Sequence, residues 1–378
     1  MNSFLNESYL YVHIPFCRRR CSYCSFYAVV SDALQDEFVE CLVKEIKLLS
    51  LKYKVKLKTV YFGGGTPSYL SIDNLSKIMN AIKNNFILEN AEVTIEINPE
   101  DVENDFAKSI KNIGFNRVSM GVQSSNVKLL KLLNREANFS VVENSLSKLR
   151  NVGFNNISLD IMYGLPNSDL KMLIQSVKHI LSLSPEHISI YCLTLEDKTV
   201  LKRKVDLGVA NMQSQEKIEN EYEFLLSELK NKGYKRYEIS NFCKNDLKSI
   251  HNSSYWKYHN TLGVGPSACY KYDNVRYENI SNIKKYINLV NNGDLPIGNK
   301  IILSNFELFI ESIFMGLRQV DGINYLYLKN YYKIADDIEI QKWIKKYVSK
   351  NLMEYNGENL KFTEYGLDIS NSILCDLF

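Results

Sequence analysis

Three cysteines stand close together in the run Cys17-Arg18-Arg19-Arg20-Cys21-Ser22-Tyr23-Cys24. Thiolates are the usual protein ligands of iron–sulfur clusters, and three so near in sequence can wrap one face of a [4Fe–4S] cluster. One of the four irons then lacks a protein ligand. That open iron can bind the amino and carboxylate groups of S-adenosylmethionine (SAM), whose reductive cleavage yields a 5′-deoxyadenosyl radical. The radical chemistry belongs to the cofactor, and the protein supplies binding and orientation. Chance is a poor account of the pattern: with 8 cysteines in 378 residues, composition alone gives roughly 0.004 such triplets per chain. Zinc is the other account. It asks for a fourth Cys or His with its own spacing. The nearest, His13, lies inside an apolar run, where a packed or hydrogen-bonded histidine is the commoner reading.

A glycine run, Gly63-Gly64-Gly65-Thr66-Pro67, follows the apolar stretch Thr59–Phe62. Glycines let backbone N–H and C=O groups approach a ligand closely. Alone the run is an ordinary turn; beside the cysteine loop it can receive the methionyl end of SAM. Glu96 stands at the end of the third strand pattern, Gln123 just after the fourth, Asp160 within the fifth, and Arg135 after the helix that follows the fourth. Arg135 can pair with the SAM carboxylate through charge-assisted hydrogen bonds. The other three can accept from its amino group and ribose hydroxyls. Each alone is as readily a helix cap or surface residue; together they fit one site.

The elements that must position these residues follow from periodicity. Tyr9–Phe16, Thr59–Phe62, Val93–Ile97, Arg117–Val122, Ile157–Tyr163 and His187–Leu193 read as buried strands. Helical patterns at Asp32–Ser50, Ile72–Asn85, Asp101–Ile113, Asn126–Leu133, Ser140–Val152 and Asp169–Ser184 separate them. Such alternation predicts parallel βα units, an α/β fold in which active residues gather at the C-terminal ends of the strands. Beyond Thr194 the pattern loosens: a helix at Gln213–Lys232, an edge strand near Tyr237–Phe242, and loop with short strand over His251–Tyr272. Helices at Asn305–Met315 and Gln341–Ser349, a hairpin at Asn356-Gly357 and a last helix, Glu364–Leu377, predict a small winged-helix-like α+β domain. The expected organisation is a barrel over 1–200, its extension over 201–300 and the small domain over 301–378.

Composition excludes some classes. Hydrophobic residues make up 45% and charged residues 24%, and the net charge is +3, so nucleic acid is not an expected partner. The opening Met1–Ser8 is polar, and no apolar run is long enough to span a bilayer; the expected location is cytoplasmic. There, eight cysteines are not a disulfide framework. The scattered ones, Cys41, Cys192, Cys243, Cys269 and Cys375, are expected as small buried residues.

The segments YVHIPFCRRRCSYC, YFGGGTPSYL, TIEINPE, NRVSMGVQS, DIMYGLP and YEISNF resemble the radical-SAM coproporphyrinogen oxidase-like family, from about Tyr9 to Phe378. The resemblance implies a partial (β/α)6 TIM-like barrel with a C-terminal domain. It implies SAM contacts at Tyr11, Tyr23, Gly64, Gly65, Thr66, Glu96, Gln123, Arg135 and Asp160. The family's oxygen-independent coproporphyrinogen III oxidases carry a fourth Cys two residues after the third, where this chain has Phe26, and a longer N-terminal extension. The second branch, haem chaperones, lacks that Cys and carries His-Asn-x-x-Tyr-Trp, here His251-Asn252-Ser253-Ser254-Tyr255-Trp256. His251 offers a nitrogen to haem iron, and Tyr255 and Trp256 offer faces to a porphyrin. The alternative is a structural segment with His251 hydrogen-bonded and Trp256 packed; His259, Cys243 and Cys269 are other candidate iron ligands. This branch implies haem, a haem-acceptor protein such as a membrane respiratory protein, and a regulatory cluster, for example one controlling homodimerisation. It leaves no side chain with an assigned catalytic role. The competing expectations are the oxidase itself and a radical enzyme for another substrate. Arg18, Arg19 and Arg20 are either a solvated face or an attraction for propionates or reduced flavodoxin.

Overall fold

The computed structural model describes residues 6–377, so most of the polar opening segment lies outside it. Six strands, β1 (Asn6–Ile14), β2 (Val55–Gly64), β3 (Ile87–Ile97), β4 (Arg117–Gln123), β5 (Ile157–Tyr163) and β6 (His187–Cys192), lie side by side in chain order, all parallel. Helices cross over between them, among them Gln35–Lys52, Ile72–Asn85, Asn104–Ile113, Phe139–Asn151 and Leu170–Ser182. This is the expected partial barrel of six βα units. Its core lies on one face of the strands, against the helices, where the alternate residues Leu10, Val12, Ile14, Val60, Phe62, Ile95, Val118 and Leu159 are essentially inaccessible.

The sheet runs further than the sequence indicated. On one side come the short antiparallel strands β7 (Lys235–Arg236) and β8 (Asn241–Cys243); on the other, β9 (Thr261–Val264) runs parallel to β1. The expected edge strand over Tyr237–Phe242 is therefore replaced by a bend between two shorter strands. A buried carboxylate explains the β9 side. Glu45, on the first helix, accepts from the Gly265 N–H (2.7 Å), Asn279 Nδ2 (2.7 Å) and the Tyr286 hydroxyl (2.6 Å). Those partners stand just after β9, on the antiparallel sheet β10 (Cys269–Tyr272), β11 (Val275–Asn279) and β12 (Ile297–Ile302), and on helix Ile283–Asn291. Burial pushes the Glu45 carboxyl up to about 7. Gly265 has φ +93°, and a Cβ there would lie 2.3 Å from the His13 carbonyl oxygen.

A second apolar core, including Phe309, Ile313, Tyr325, Trp343 and Leu360, belongs to the C-terminal segment. Helix Asn305–Gly316 starts with a capping box between Ser304 and Glu307. Strands β13 (Ile323–Asn324), β14 (Met353–Tyr355) and β15 (Asn359–Phe362) form a small antiparallel sheet, with β14 and β15 joined by the Asn-Gly hairpin. The single last helix expected over Glu364–Leu377 is two pieces, Glu364–Asp368 and Ser370–Cys375. Asp368 closes the first piece and accepts from Arg236 (2.5 Å) and the Tyr222 hydroxyl (3.0 Å), tying the C-terminal unit to the barrel side. Of the five scattered cysteines only Cys41 and Cys243 are buried; Cys192, Cys269 and Cys375 sit at a strand end, a strand start and a helix end, and are exposed.

Candidate functional site

Cys17 leaves the C-terminal end of β1, and the strand geometry persists just beyond it. Cys17 N–H donates to Val29 O (3.1 Å) and Val29 N–H to Pro15 O (2.6 Å). The chain between is a loop held from two sides. Ser22 N–H donates to Leu133 O (3.0 Å), its hydroxyl to Leu132 O (2.7 Å), and Ser22 O accepts from Leu201 N–H (2.7 Å). The three arginines are each engaged by the protein itself: Arg18 pairs with Asp101 (3.1 Å), Arg19 with Glu136, and Arg20 reaches Cys24 O and Phe26 O of its own loop.

The glycine run lies against this loop because no other residue fits. A Cβ at Gly65 would stand 2.7 Å from Phe16 O and 3.0 Å from Cys17 Sγ; one at Gly64, whose φ is +108°, would stand 2.6 Å from the His13 ring. Gly65 N–H donates to Ile14 O (2.8 Å), Thr66 N–H to Phe16 O (2.8 Å), and the Thr66 hydroxyl approaches Cys17 Sγ (3.5 Å). His13 is buried, with Nδ1 bonded to the Tyr11 hydroxyl (3.1 Å) and Nε2 to Tyr27 O (3.1 Å), so neither nitrogen is turned to the cysteines.

Arg135 reaches the same place through a helix end. Asn126 caps helix Val127–Leu132, and Asn134 adopts φ +58° just past it, the left-handed conformation that asparagine tolerates and that ends many helices. Arg135 N–H closes the turn on Leu130 O (2.8 Å). Its guanidinium donates to Asn98 Oδ1 (2.7 Å) and Gly121 O and lies 3.7 Å from Cys21 Sγ. Gln123 ends β4 at φ +66°, where the β4–β5 register slips; a strained non-glycine backbone of this kind marks functional positions. Glu96 accepts from the Tyr61 hydroxyl (2.8 Å), and burial pushes its carboxyl up to about 7. Burial likewise raises Asp160, which faces the hydroxyls of Ser119 and Ser158.

These side chains converge. One cavity of about 400 Å³ is lined by Cys17, Cys21, Cys24, Tyr23, Gly64, Gly65, Thr66, Glu96, Gln123, Arg135 and Asp160, with Phe26 also on its wall. Of the residues expected to contact SAM, Tyr11 alone is outside it. Tyr11 lines a second chamber of about 210 Å³ deeper among the strands, with Tyr61, Arg117, His251 and Tyr255; Glu96, Ser119 and Tyr191 belong to both cavities.

The donor set fits an iron–sulfur cluster. Among the described residues no three His, Cys, Asp or Glu side chains gather round one point as a single metal ion needs. A four-iron cluster instead takes each thiolate on a different iron, and three thiols on one wall without a fourth suit it. Burial pushes the Cys17 thiol up to about 11 and raises Cys24, so ligation there displaces protons.

The His-Asn-x-x-Tyr-Trp segment does not gather in the same way. It is the helix Ile250–Trp256, not a loop, begun by the Ser249 side chain and by Glu92, whose carboxylate accepts from the Ile250 and His251 N–H groups (3.1 and 3.0 Å). His251 is 2% exposed. Its Nδ1 bonds the Thr59 hydroxyl (2.6 Å), its Nε2 the Tyr255 hydroxyl (3.0 Å), and Tyr61 stacks on it at 4.9 Å. Burial drives the imidazole down to about 3. Trp256 turns away, and the Arg318 guanidinium stands 5.9 Å from its ring centre. Among the alternatives, Cys243 is buried and Cys269 exposed. His259 is exposed on a groove of about 900 Å³ shared with Tyr258, Tyr327, Tyr331 and Lys271. Its Nδ1 bonds the Tyr9 hydroxyl (2.9 Å). Neither this groove nor Arg117 is evident from the sequence: the groove joins segments as distant as Asn6 and Tyr332, and Arg117 reads as a strand-start charge.

The model of the radical SAM superfamily matches residues 11–180. The chain is 34% identical over 370 residues to a Heme chaperone HemW of Bacillus subtilis, covering 96% of this chain and 97% of the relative. The chain belongs to the HemW family of radical SAM proteins. A Heme chaperone HemW of Lactococcus lactis is 31% identical over 368 residues, covering 96% of this chain and 95% of that one. The fold also superposes on the coproporphyrinogen III oxidase HemN of Escherichia coli with a TM-score of 0.88 at 22% identity, over 99% of this chain and 90% of that one; at that identity the likeness is one of fold. Membership of the radical SAM superfamily implies a [4Fe–4S] cluster and SAM. Among the described residues no helix is long and apolar enough to cross a membrane.

Proposed function

We propose that this chain is a haem chaperone, binding haem and passing it to an acceptor protein. The observation that carries the reading is similarity along nearly the whole length to proteins named Heme chaperone HemW. Phe26 supports it: at the position of the oxidases' fourth cysteine it puts a 67% exposed ring on the cavity rim. In this reading Cys17, Cys21 and Cys24 hold the cluster. Arg135 meets the SAM carboxylate, the Gly64–Thr66 backbone meets its methionyl end, and Glu96, Gln123, Asp160 and Tyr23 meet its amino and ribose groups. Bound there, cluster and SAM supply one-electron chemistry. The acceptor is a respiratory protein at a membrane, the chain acts in the cytoplasm, an electron donor such as reduced flavodoxin serves the cluster, and a homodimer is the regulated form.

Two imidazoles compete for the haem iron. His251, with Tyr255 and Trp256 of the same motif, becomes a ligand only if its helix gives up a bond to Thr59 or Tyr255. His259 has Nδ1 held by Tyr9 and Nε2 without a hydrogen bond to any described residue, the arrangement in which a second partner fixes the tautomer of a ligating histidine. Its groove adds tyrosine rings and Lys271 for propionates. The test is an anaerobic haem titration of the reconstituted protein with His251→Ala and His259→Ala alongside. Saturable one-to-one binding supports the chaperone, and the variant whose spectrum changes names the ligand. No saturable binding, together with protoporphyrinogen formed from coproporphyrinogen III in the presence of SAM and reductant, replaces the chaperone with the oxidase.

A further inference from the structure

Arg117 begins β4, is 2% exposed, and has the largest side chain among the fully buried ones. Its Nε has no hydrogen-bond partner, and its guanidinium makes no ion pair with any described residue. A buried, unpaired cation costs several kcal/mol in general, and this one lines the inner chamber. Two carboxyl groups that feel its charge hydrogen-bond elsewhere: Glu96 accepts from Tyr61, and Asp160 from serine hydroxyls.

The rest of the chamber is polar but neutral. His251 and His187 have both ring nitrogens hydrogen-bonded, to Thr59 and Tyr255 and to Ser158 and Tyr237. Asn241 Oδ1 is another buried atom without a partner. The rings of Tyr11, Tyr61 and Tyr255 supply flat apolar walls.

We infer that the inner chamber is a binding site for a small carboxylate, with Arg117 as its cation. A guanidinium presents a planar fork that matches a carboxylate in two parallel hydrogen bonds. The space of about 210 Å³ takes a short aliphatic acid, whose chain lies on the tyrosine faces. A dianion such as phosphate is disfavoured because Glu96 and Asp160 stand close by. Since Glu96, Ser119 and Tyr191 line both cavities, a bound carboxylate sits directly behind the cysteine cavity. The inference uses the chamber alone and does not rest on the haem reading.

The probe is radiolabelled propionate in equilibrium dialysis against the full-length protein, with chloride and inorganic phosphate as competitors at equal ionic strength. The expected result is saturable binding of one propionate per chain. Acetate should displace it, phosphate should not, and Arg117→Gln should weaken it at least tenfold while Arg117→Lys weakens it less. Asn252 lines the chamber and its side chain makes no hydrogen bond to a described residue, so Asn252→Phe blocks the space with Arg117 intact and should abolish binding at an unchanged melting temperature. This variant decides the matter if Arg117→Gln does not fold. Non-saturable uptake, or full binding in folded Arg117→Gln or in Asn252→Phe, overturns the inference.

Discussion

The cysteine loop and the helix Ile250–Trp256 are both short and both dense in side chains able to ligate, yet they deploy them in opposite ways. The loop has no internal periodicity, so its backbone turns until Cys17, Cys21 and Cys24 line one cavity. The helix imposes 100° per residue. His251 and Tyr255, four apart, share a face and bond each other, while Trp256 is carried to another side. A motif on a loop can be a single site; the same density on a helix divides between two surroundings.

The sharpest way to break that contrast is at the thiols. Replacing any one of Cys17, Cys21 or Cys24 by Ser should leave the reconstituted protein with almost no cluster iron, read by iron analysis and visible absorption. A variant that keeps full iron would mean the loop is not one site. Next in size is Gly65→Ala, whose new Cβ meets backbone and Cys17 Sγ. It should cost about 1–3 kcal/mol of folding stability, as overpacking does, and also lower SAM affinity; a silent substitution would show that the glycine run does not press on the loop.

On the helix side, His251→Phe removes two buried hydrogen bonds and should cost about 1–3 kcal/mol in a denaturant melt. His259→Ala, on an exposed site, should stay within about 0.5 kcal/mol of the parent. Equal penalties would erase the distinction between a built-in and an open histidine. The smallest effect is in pH. Unfolded, His251 takes up a proton near pH 6.5; folded, only near about 3. The unfolded chain therefore binds the extra proton between those values, so this residue's contribution to stability falls as pH drops from about 6.5 toward 3. The gap in melting temperature between parent and His251→Phe should narrow from pH 7 to pH 5, and a constant gap would mean that the imidazole is not held neutral.

Much of the barrel was legible because its signals are local. The six parallel strands stand where the buried strands were read, and the helix read at Ile72–Asn85 has those bounds. The cysteine cavity was legible because strand ends gather on one edge of such a sheet. Three things were not. The helix Ile250–Trp256 has no amphipathic repeat long enough to see in 7 residues. A short strand was expected within His251–Tyr272, but the place of β9 beside β1 was not: Glu45, more than 200 residues earlier, anchors it, a role no local pattern announces. Tyr11 alternates with its neighbours on β1 and so faces the inner chamber, one layer below the cavity assigned to it.

The anchoring of Ser22 has a further consequence. The cysteine loop is fastened by bonds from Ser22 to Leu132, Leu133 and Leu201, and through Asn134 to Arg20 O, none of which involves a thiol. Its ordering entropy is therefore lost when the chain folds rather than when metal arrives. The bonds that order the loop are thus separate from the thiols that would hold the cluster.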